Sequence, residues 1–472
     1  MGHRPLYSRK SSNCGFKVLL ALLLAGAGLY YFYQKKMVFH PQELVENSVL
    51  NNRSFSIPVQ EIRSPKYGIQ AYLLEDKSNP IISVSFLFKN AGYASDNPNE
   101  QGIANMMASL LTDGAGDLDS QAFKEEMESN AIGISFSAGK DDFSGALLTT
   151  KDNQKKAYEL LRLALSEPRF DADDIRRVQA ELLESLKRQK EHPGSILGLE
   201  FSKELYGKHP YARNPIGVAE NILKVDKGKL QVFMADYFSR QNLLVGIAGD
   251  ITPFEAEQML DSVFGVLAES GRVNFVREAE LDFNGRSRTI EMPAGQNIVM
   301  KAAAGVGRNH EDFYPLFVAN HILGGSGLSS RLSQAIREKE GLTYGVYSYL
   351  VLDDKAPVIM ASFSSTADKY ARAEELFAEQ WQNFGKNGVS AEELAQAKDY
   401  LVASYNLRFA SIASIADILI AMQKYNLGLD FLQKRNDYVQ QVTQEQVNNA
   451  ARKYFNKDKL VSVSIGSFKG RD

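Results

Sequence analysis

An arginine and a tyrosine seven positions apart could supply a cation and an O–H donor to one site. Arg337 and Tyr344 follow a glycine-rich turn, residues 324–330, and stand on either side of Gly341. Gly341 is a natural helix stop in left-handed conformation, and the spacing of apolar residues before it predicts a helix. The run after it is β-prone, so we expect Tyr344 to open a strand. A helix end and a strand start are able to aim both side chains into one cleft.

The same two residues also have a purely structural interpretation. An arginine near a helix C-terminus complements the helix dipole, and a tyrosine in a strand is common. Spacing alone therefore does not assign Arg337 and Tyr344 a function.

Size and composition indicate two globular units. The chain has 472 residues, of which 44% are hydrophobic and 24% charged. This length is enough for two sizeable cores, and the composition is that of an ordinary folded protein. The net charge is only −3, so nothing suggests a nucleic-acid partner.

The N-terminus predicts a membrane segment. Residues 18–33 carry no charge, and lysines and arginines flank them, mostly on the N-terminal side. We expect a cytoplasmic tail and inner-membrane anchor over residues 1–36, with the remainder in the periplasm. The alternative is a signal peptide cleaved after the small residues 25–27. Cys14 is the only cysteine, so the exported part has no thiol for catalysis or metal binding.

Internal repetition divides the remainder into two halves. The stretch from Val225 through Tyr237 to Gly249 matches the stretch from Val442 through Tyr454 to Gly466 at a constant offset of 217. Two long helices with acidic first turns, starting after Asp171 and Ser390, repeat at an offset of 219, and both residues could cap them. We predict an N-terminal domain over residues 37–268, a linker over 269–288 and a C-terminal domain over 289–472. Strands mixed with segregated helices indicate α+β domains.

One helix of the first half has vacant positions where a metal site would lie. Residues 101–111 are amphipathic, and Asn105, Ala108 and Ser109 lie opposite the apolar face. Positions i, i+3 and i+4 on one helix face could hold two metal ligands and a base. An amide, a methyl and a hydroxyl are poor Zn²⁺ ligands and poor bases near neutral pH.

Two further features have ordinary explanations. His209 precedes Pro210 and is expected to be a turn residue. Glycines 324–327 lack the Gly-Lys-Ser/Thr sequence of a phosphate loop, so they predict a tight turn and not a nucleotide site.

These features together resemble the pitrilysin/insulinase family of inverzincins, most of all its bacterial and mitochondrial-processing-peptidase branch. The family's zinc motif is H-x-x-E-H, in the context Gly-x-Ala-His-x-x-Glu-His. Here Asn105, Ala108 and Ser109 replace the histidines and the glutamate, after Gly102 and Ala104. Residues 208–217, 243–250 and 324–332 are further similar blocks, and the resemblance covers roughly residues 55–470.

The resemblance implies a fold and a metal status. It implies two tandem homologous domains of the mitochondrial-processing-peptidase-like metallohydrolase fold, each a mainly antiparallel sheet with helices packed on one side. It implies no metal in this chain. The family's third ligand would correspond to Glu181 or Glu184, and the register between them stays open; with no ligands beside them, solvated helix carboxylates are the simpler interpretation.

The resemblance also gives Arg337 and Tyr344 a role, because the family places such a pair against the substrate. They would stabilise the carbonyl and its oxyanion in a partner's active site. The chain would then be a non-catalytic, substrate-binding subunit of a heterodimeric zinc endopeptidase that cleaves unfolded peptides. It would be inactive alone, with Zn²⁺ in an H-x-x-E-H partner. The alternative is a non-proteolytic peptide-binding or scaffold protein. Another metal at Asn105 and Ser109 is disfavoured because these are weak ligands.

Overall fold

Two β-sheets organise residues 58–468, the part of the chain that this computed structural model describes. The expected membrane segment, residues 18–33, lies outside the described residues. The two halves form one compact unit from Phe55 onward. Their elements follow in chain order.

The first half contains β1 (Val59–Arg63), β2 (Gln70–Glu75), β3 (Ile81–Phe88), α1 (Ile103–Leu110), α2 (Ser120–Ser129), β4 (Gly133–Ala138), β5 (Phe143–Thr150), α3 (Gln154–Ser166), α4 (Ala172–Gln189), α5 (Pro193–Tyr206), α6 (Ala219–Ile222), α7 (Lys227–Tyr237), β6 (Leu243–Gly249) and α8 (Pro253–Phe264).

The second half contains β7 (Ser287–Glu291), β8 (Asn297–Ala304), α9 (Phe313–Asn320), β9 (Val346–Val351), β10 (Val358–Ser365), α10 (Tyr370–Asn387), α11 (Ala391–Ala403), α12 (Ile412–Lys424), α13 (Phe431–Gln440), α14 (Gln444–Tyr454) and β11 (Val461–Gly466).

The two sheets share one strand order, as an internal duplication predicts. The first runs β1-β2-β6-β3-β5-β4 and the second β7-β11-β8-β10-β9, so the first has one extra strand, β1. Each sheet has one parallel pair, β2 with β6 and β7 with β11, and its other pairs are antiparallel. The expected α+β class with mainly antiparallel sheets is confirmed. The described residues between α8 and β7 contain no regular strand or helix, although the domain boundaries themselves stay a prediction.

The expected caps of the repeated long helices differ between the halves. Ser390 caps α11 in a capping box with Glu393. Asp171 precedes α4 without a side-chain cap, because its carboxylate pairs with Arg169 Nε at 2.7 Å. The expectation of a side-chain cap is therefore confirmed for Ser390 and wrong for Asp171.

Each half also covers the second face of the other half's sheet with a helix. α5 belongs to the first half but packs on β8 and β11, where Leu197 and Phe201 are buried with Val463. α12 belongs to the second half but packs across β2, β3 and β6 of the first sheet. Gly246 on β6 permits this approach, because a Cβ there would lie 2.4 Å from the carbonyl oxygen of Ala416.

Two acidic loops join the halves. Residues 139–142 connect β4 to β5, and residues 352–357 connect β9 to β10. The Asp354 backbone N–H donates to Asp141 Oδ2 at 3.0 Å. Lys424, the last residue of α12, lies 2.6 Å from Asp142 Oδ2 and 2.9 Å from Asp354 Oδ1. Burial opposes the charge on Lys424, yet the two carboxylates raise its pKa above the usual range.

Within residues 58–468, no single helix is long and apolar enough to cross a membrane. One bent pair, Ala391–Phe409 with Ile412–Lys424, meets the length and composition criteria jointly, with 114° between its two parts. Ile415, Ala416 and Leu419 of this pair are buried against the first sheet.

Candidate functional site

Backbone contacts fix the N-terminus of α1 just before the positions of the degenerate motif. Gly102 adopts φ +104°, and a Cβ there would lie 2.6 Å from the carbonyl oxygen of Ile216. Its backbone N–H donates to Asp96 Oδ2 at 2.8 Å. The glycine is therefore required by a close approach of two backbone segments, and the helix begins at a defined point.

The apolar face of α1 is buried as its periodicity predicts. Ile103, Met106, Met107 and Leu110 are each at most 3% exposed and belong to the first core. This burial turns positions 105, 108 and 109 away from the deepest part of that core, as the sequence pattern predicts.

The three positions of the degenerate motif do not fit a metal ion. Asn105 Nδ2 donates to the Pro215 carbonyl oxygen at 3.4 Å, and Ser109 Oγ donates to the Asn105 carbonyl oxygen at 3.2 Å. Ala108 offers only a methyl, which packs against the core. Residues 58–468 contain no group of three or more histidine, cysteine or acidic side chains that could hold a metal. Residues 58–468 therefore offer no donor set for zinc.

Glu181 and Glu184 make helix-surface ion pairs. Glu181 Oε1 accepts from Arg177 Nη1 at 2.9 Å, and Glu184 Oε1 lies 4.0 Å from Arg188 Nη1. Their side chains are 59% and 53% exposed. Arg177 also pairs with the buried carboxylate of Asp113. These contacts match the interpretation of both glutamates as solvated carboxylates.

The segment that carries Arg337 is anchored by its apolar neighbours. Leu332 and Ile336 are fully buried, and residues Ser333–Glu338 form a π-helical turn. Gly341 adopts φ +59°, so the expected left-handed stop is confirmed. Arg337 itself is half-exposed, and its Nε lies 3.4 Å from Glu338 Oε1.

Tyr344 lies at the exposed tip of a loop that hydrogen bonds of Thr343 hold in place. It precedes β9 by two residues, so the expected strand begins slightly later, at Val346. Thr343 Oγ1 donates to the Ser364 carbonyl oxygen at 2.6 Å and accepts from the Gly345 N–H at 3.1 Å. The Tyr344 side chain is 82% exposed, so its phenol faces solvent in this chain.

The glycine-rich stretch before this segment is helical in part. Gly324 and Gly325 belong to a π-helical turn, His321–Gly325, that continues α9, so the predicted tight turn is wrong at these two residues. A Cβ at Gly324 would lie 2.8 Å from the Ser348 backbone nitrogen, because the turn packs directly on β9. Gly327 follows with φ +61°.

A cleft of about 810 Å³ lies where the first half meets the connecting segment. Its lining includes residues 94–98, 204–210 and 274–278. His209 caps a short turn there, with Nε2 2.8 Å from the Arg277 carbonyl oxygen, so it is a turn residue as expected.

Asp96 lines the same cleft and is nearly buried. Its Oδ2 accepts the Gly102 N–H, but Oδ1 has no hydrogen-bond partner among the described residues. Burial raises the pKa of Asp96 to about 7, against the opposing effect of the Gly102 and Ala104 N–H groups and Arg213. No sequence motif singled out this carboxyl.

Comparison with known proteins finds similarity to one family of peptidases. Residues 224–401 match the family model described as peptidase M16 inactive domain. This match and the relatives below confirm the resemblance to pitrilysin/insulinase-type peptidases that the motifs predict. The matched model describes an inactive domain, α1 has no histidine or glutamate at positions 105, 108 and 109, and the chain has the peptidase fold.

M16 relatives cover most of the chain. A Helicobacter pylori protein named non-peptidase homolog YmxG is 24% identical over 391 residues, which is 83% of this chain and 89% of the relative. A Bacillus subtilis protein named uncharacterized zinc protease YmxG is 22% identical over 392 residues, with 82% and 94% covered. A crystal structure of a peptidase M16 inactive domain from Pseudomonas fluorescens is 29% identical, covers 88% of this chain and 99% of that one, and superposes with a TM-score of 0.82.

Proposed function

We propose that this M16 protein is the zinc-less, substrate-binding subunit of a heterodimeric zinc endopeptidase. The proposal rests on the loss of metal ligands from α1 combined with the retention of the arginine–tyrosine pair. Asn105, Ala108 and Ser109 leave α1 without metal ligands, while Arg337 and Tyr344 keep the family's spacing on a well-anchored turn. The partner would be a homologous subunit with an H-x-x-E-H motif that holds the Zn²⁺.

The exposure of Tyr344 supports a role in a shared site. A phenol that is 82% exposed has its hydroxyl available to a molecule outside this chain. Together with the guanidinium of Arg337, it would donate a hydrogen bond to a peptide carbonyl and to the oxyanion formed from it. Such donors act more strongly when a partner subunit excludes water from the site.

The strand that follows Tyr344 supports peptide binding. β9 lies at the end of the described second sheet and pairs there with β10 alone, which is the position at which a further strand would add. Tyr347 and Tyr349 are 48% and 44% exposed along it. An extended peptide could pair with this edge, which favours unfolded substrates over folded ones.

The proposed location follows from the N-terminal sequence. The uncharged run 18–33, with its basic flank, would anchor the chain in the inner membrane and leave residues 58–468 in the periplasm. Cleavage after residues 25–27 would release the same body as a periplasmic protein.

The test is purification of the native assembly from membranes, followed by metal analysis and peptide cleavage assays. The isolated chain should contain no stoichiometric zinc and cleave no unfolded peptide. Addition of the co-purified H-x-x-E-H subunit should give cleavage. Strong hydrolysis by the isolated chain would contradict the proposal. If substitution of Arg337 and Tyr344 leaves the activity of the assembly unchanged, a scaffold role is favoured instead.

A further inference from the structure

A second cavity, distant in sequence from the motifs above, has the composition of a ligand site. It has a volume of about 480 Å³ and lies among α9, β9, α12, α13 and the 3₁₀ helix Ser404–Phe409. Small-molecule sites typically have volumes of about 300–1,000 Å³. Aromatic rings form much of its wall: Phe313, Tyr314, Phe317, Tyr349, Tyr405, Tyr425 and Phe431.

Three arginines line this cavity, which we call the arginine pocket. They are Arg308, Arg408 and Arg435, and the described lining contains no aspartate or glutamate. None of the three makes an ion pair with a carboxylate in residues 58–468. His321 also lines the pocket, but burial lowers its pKa to about 4, so it is neutral near pH 7. The pocket therefore carries three uncompensated positive charges.

Arg435 is the most deeply placed of the three. It is only 8% exposed, and its Nη1 donates to the Leu401 carbonyl oxygen at 2.7 Å and to Asn436 Oδ1 at 3.0 Å. The guanidinium lies 4.3 Å from the centre of the Tyr405 ring. Burial lowers its pKa; Tyr405 and Tyr314 oppose this effect, and the neighbouring arginines add to it. A buried cation without a counterion is unfavourable, and a bound anion would remove that cost.

Arg308 connects the charge to the apolar wall. Its guanidinium lies 4.1 Å from the Phe313 ring centre and 5.3 Å from that of Phe431, and it donates to the Tyr314 hydroxyl at 2.9 Å. These contacts leave a planar cation beside aromatic surface. Such an arrangement suits a ligand that has an anionic end and an apolar body.

Several buried polar atoms in the lining have no partner. The Tyr405 hydroxyl, Ser348 Oγ and Asn320 Oδ1 make no hydrogen bond within the described residues. Two of them are hydroxyls that can donate to an anion. Asn320 stands where α9 gives way to the π-helical turn His321–Gly325, and π-helical turns are frequent at functional sites.

We propose that the arginine pocket binds an organic carboxylate with an apolar or aromatic body. The carboxylate would accept hydrogen bonds from Arg435, Arg408 and the Tyr405 hydroxyl, and the body would pack on the aromatic wall. The proposal does not depend on Arg337, Tyr344 or any partner subunit. The carboxylate could be that of a free small molecule or the C-terminus of a peptide.

The test is calorimetric titration of the purified full-length chain with matched probes. Phenylpropionate should bind, and phenylpropanol, its neutral counterpart, should bind at least about tenfold more weakly because it cannot form charge-assisted hydrogen bonds. A tetrapeptide ending in phenylalanine is tested as free acid and as amide. Preference for the free acid would assign a peptide C-terminus, whereas binding of phenylpropionate alone would assign a small molecule.

Variants locate the binding. Arg408→Gln changes an exposed side chain and should weaken phenylpropionate about tenfold or more. Arg435→Gln should abolish binding, and Arg308→Gln provides a second test if that variant does not fold. Arg452→Gln, on the exposed face of α14, is the control and should bind like the wild type. The proposal is overturned if neither acid binds, or if the neutral probes bind as tightly as the acids. It is also overturned if Arg408→Gln and Arg308→Gln both leave the affinity unchanged.

Discussion

Lys424 Nζ lies 2.6 Å from Asp142 Oδ2 and thereby ties the last residue of α12 to the first sheet. The two side chains come from different halves and are only 16% and 10% exposed. This ion pair holds the exchanged helix at the point where both acidic loops meet. The relative position of the two halves therefore depends on buried charge as well as on apolar packing.

Removal of this cation should destabilise the fold. Lys424→Met leaves Asp142 and Asp354 buried without their partner, so we expect the free energy of unfolding to fall by about 3–5 kcal/mol. Denaturant titration followed by circular dichroism measures this change. Lys434→Met breaks an exposed pair with Asp430 and should cost at most about 1 kcal/mol. Equal losses in the two variants would refute the structural role of Lys424.

Close packing at Gly246 predicts a second loss of stability. A Cβ at this residue would lie 2.4 Å from the Ala416 carbonyl oxygen and 3.0 Å from Leu419 Cβ, so Gly246→Ala must push α12 away from the sheet. We expect a loss of about 1–3 kcal/mol in the free energy of unfolding. Gly295→Ala meets no atom within 4 Å and should change stability by about 0.5 kcal/mol or less. A neutral Gly246→Ala would show that the helix is not held against β6.

The buried carboxyl of Asp96 predicts a pH-dependent stability. Its pKa in the folded protein is about 7, above the ordinary value of 3.8, so the folded state binds the proton more tightly than the unfolded state. This contribution is complete below pH 4 and is lost as the pH rises through 7, with a limit of about 4 kcal/mol. Chemical denaturation at pH 5 and pH 8 measures the difference.

Asp96→Asn is the matched variant for this pH dependence. The amide oxygen can still accept the Gly102 N–H, and the side chain stays neutral at every pH. The difference in unfolding free energy between pH 5 and pH 8 should therefore be smaller in Asp96→Asn than in the wild type. An identical pH dependence would mean that Asp96 does not titrate in this range.

The proposed catalytic contribution of Tyr344 has a kinetic signature. In the assembly reconstituted with its zinc subunit, Tyr344→Phe removes one donor to the oxyanion, so kcat should fall by about a hundredfold while KM changes little. Tyr67→Phe is the control, because this exposed tyrosine of the first half is part neither of the proposed pair nor of β9. Equal kcat values for Tyr344→Phe and the wild type would leave Tyr344 without a catalytic role.

Local patterns made much of the fold predictable. The buried stripe of α1, the left-handed stop at Gly341 and the cap of α11 by Ser390 depend on residues within a few positions of one another. Such local patterns are set by backbone geometry. The helix α5 begins at Pro193, because proline is favoured in the first turn of a helix, but its packing on the second sheet is not encoded locally.

The sequence by itself determined the duplicated plan, the family resemblance and the loss of metal ligands at Asn105, Ala108 and Ser109, because each is a matter of residue type at fixed spacing. Only the tertiary structure decided that α5 and α12 cross to the opposite sheets and that Arg308 and Arg435 line one pocket. Those residues are 127 positions apart, and no local pattern encodes a contact at that distance. The crossing of α5 and α12 arises because each sheet has a second apolar face, which a helix from the other half buries.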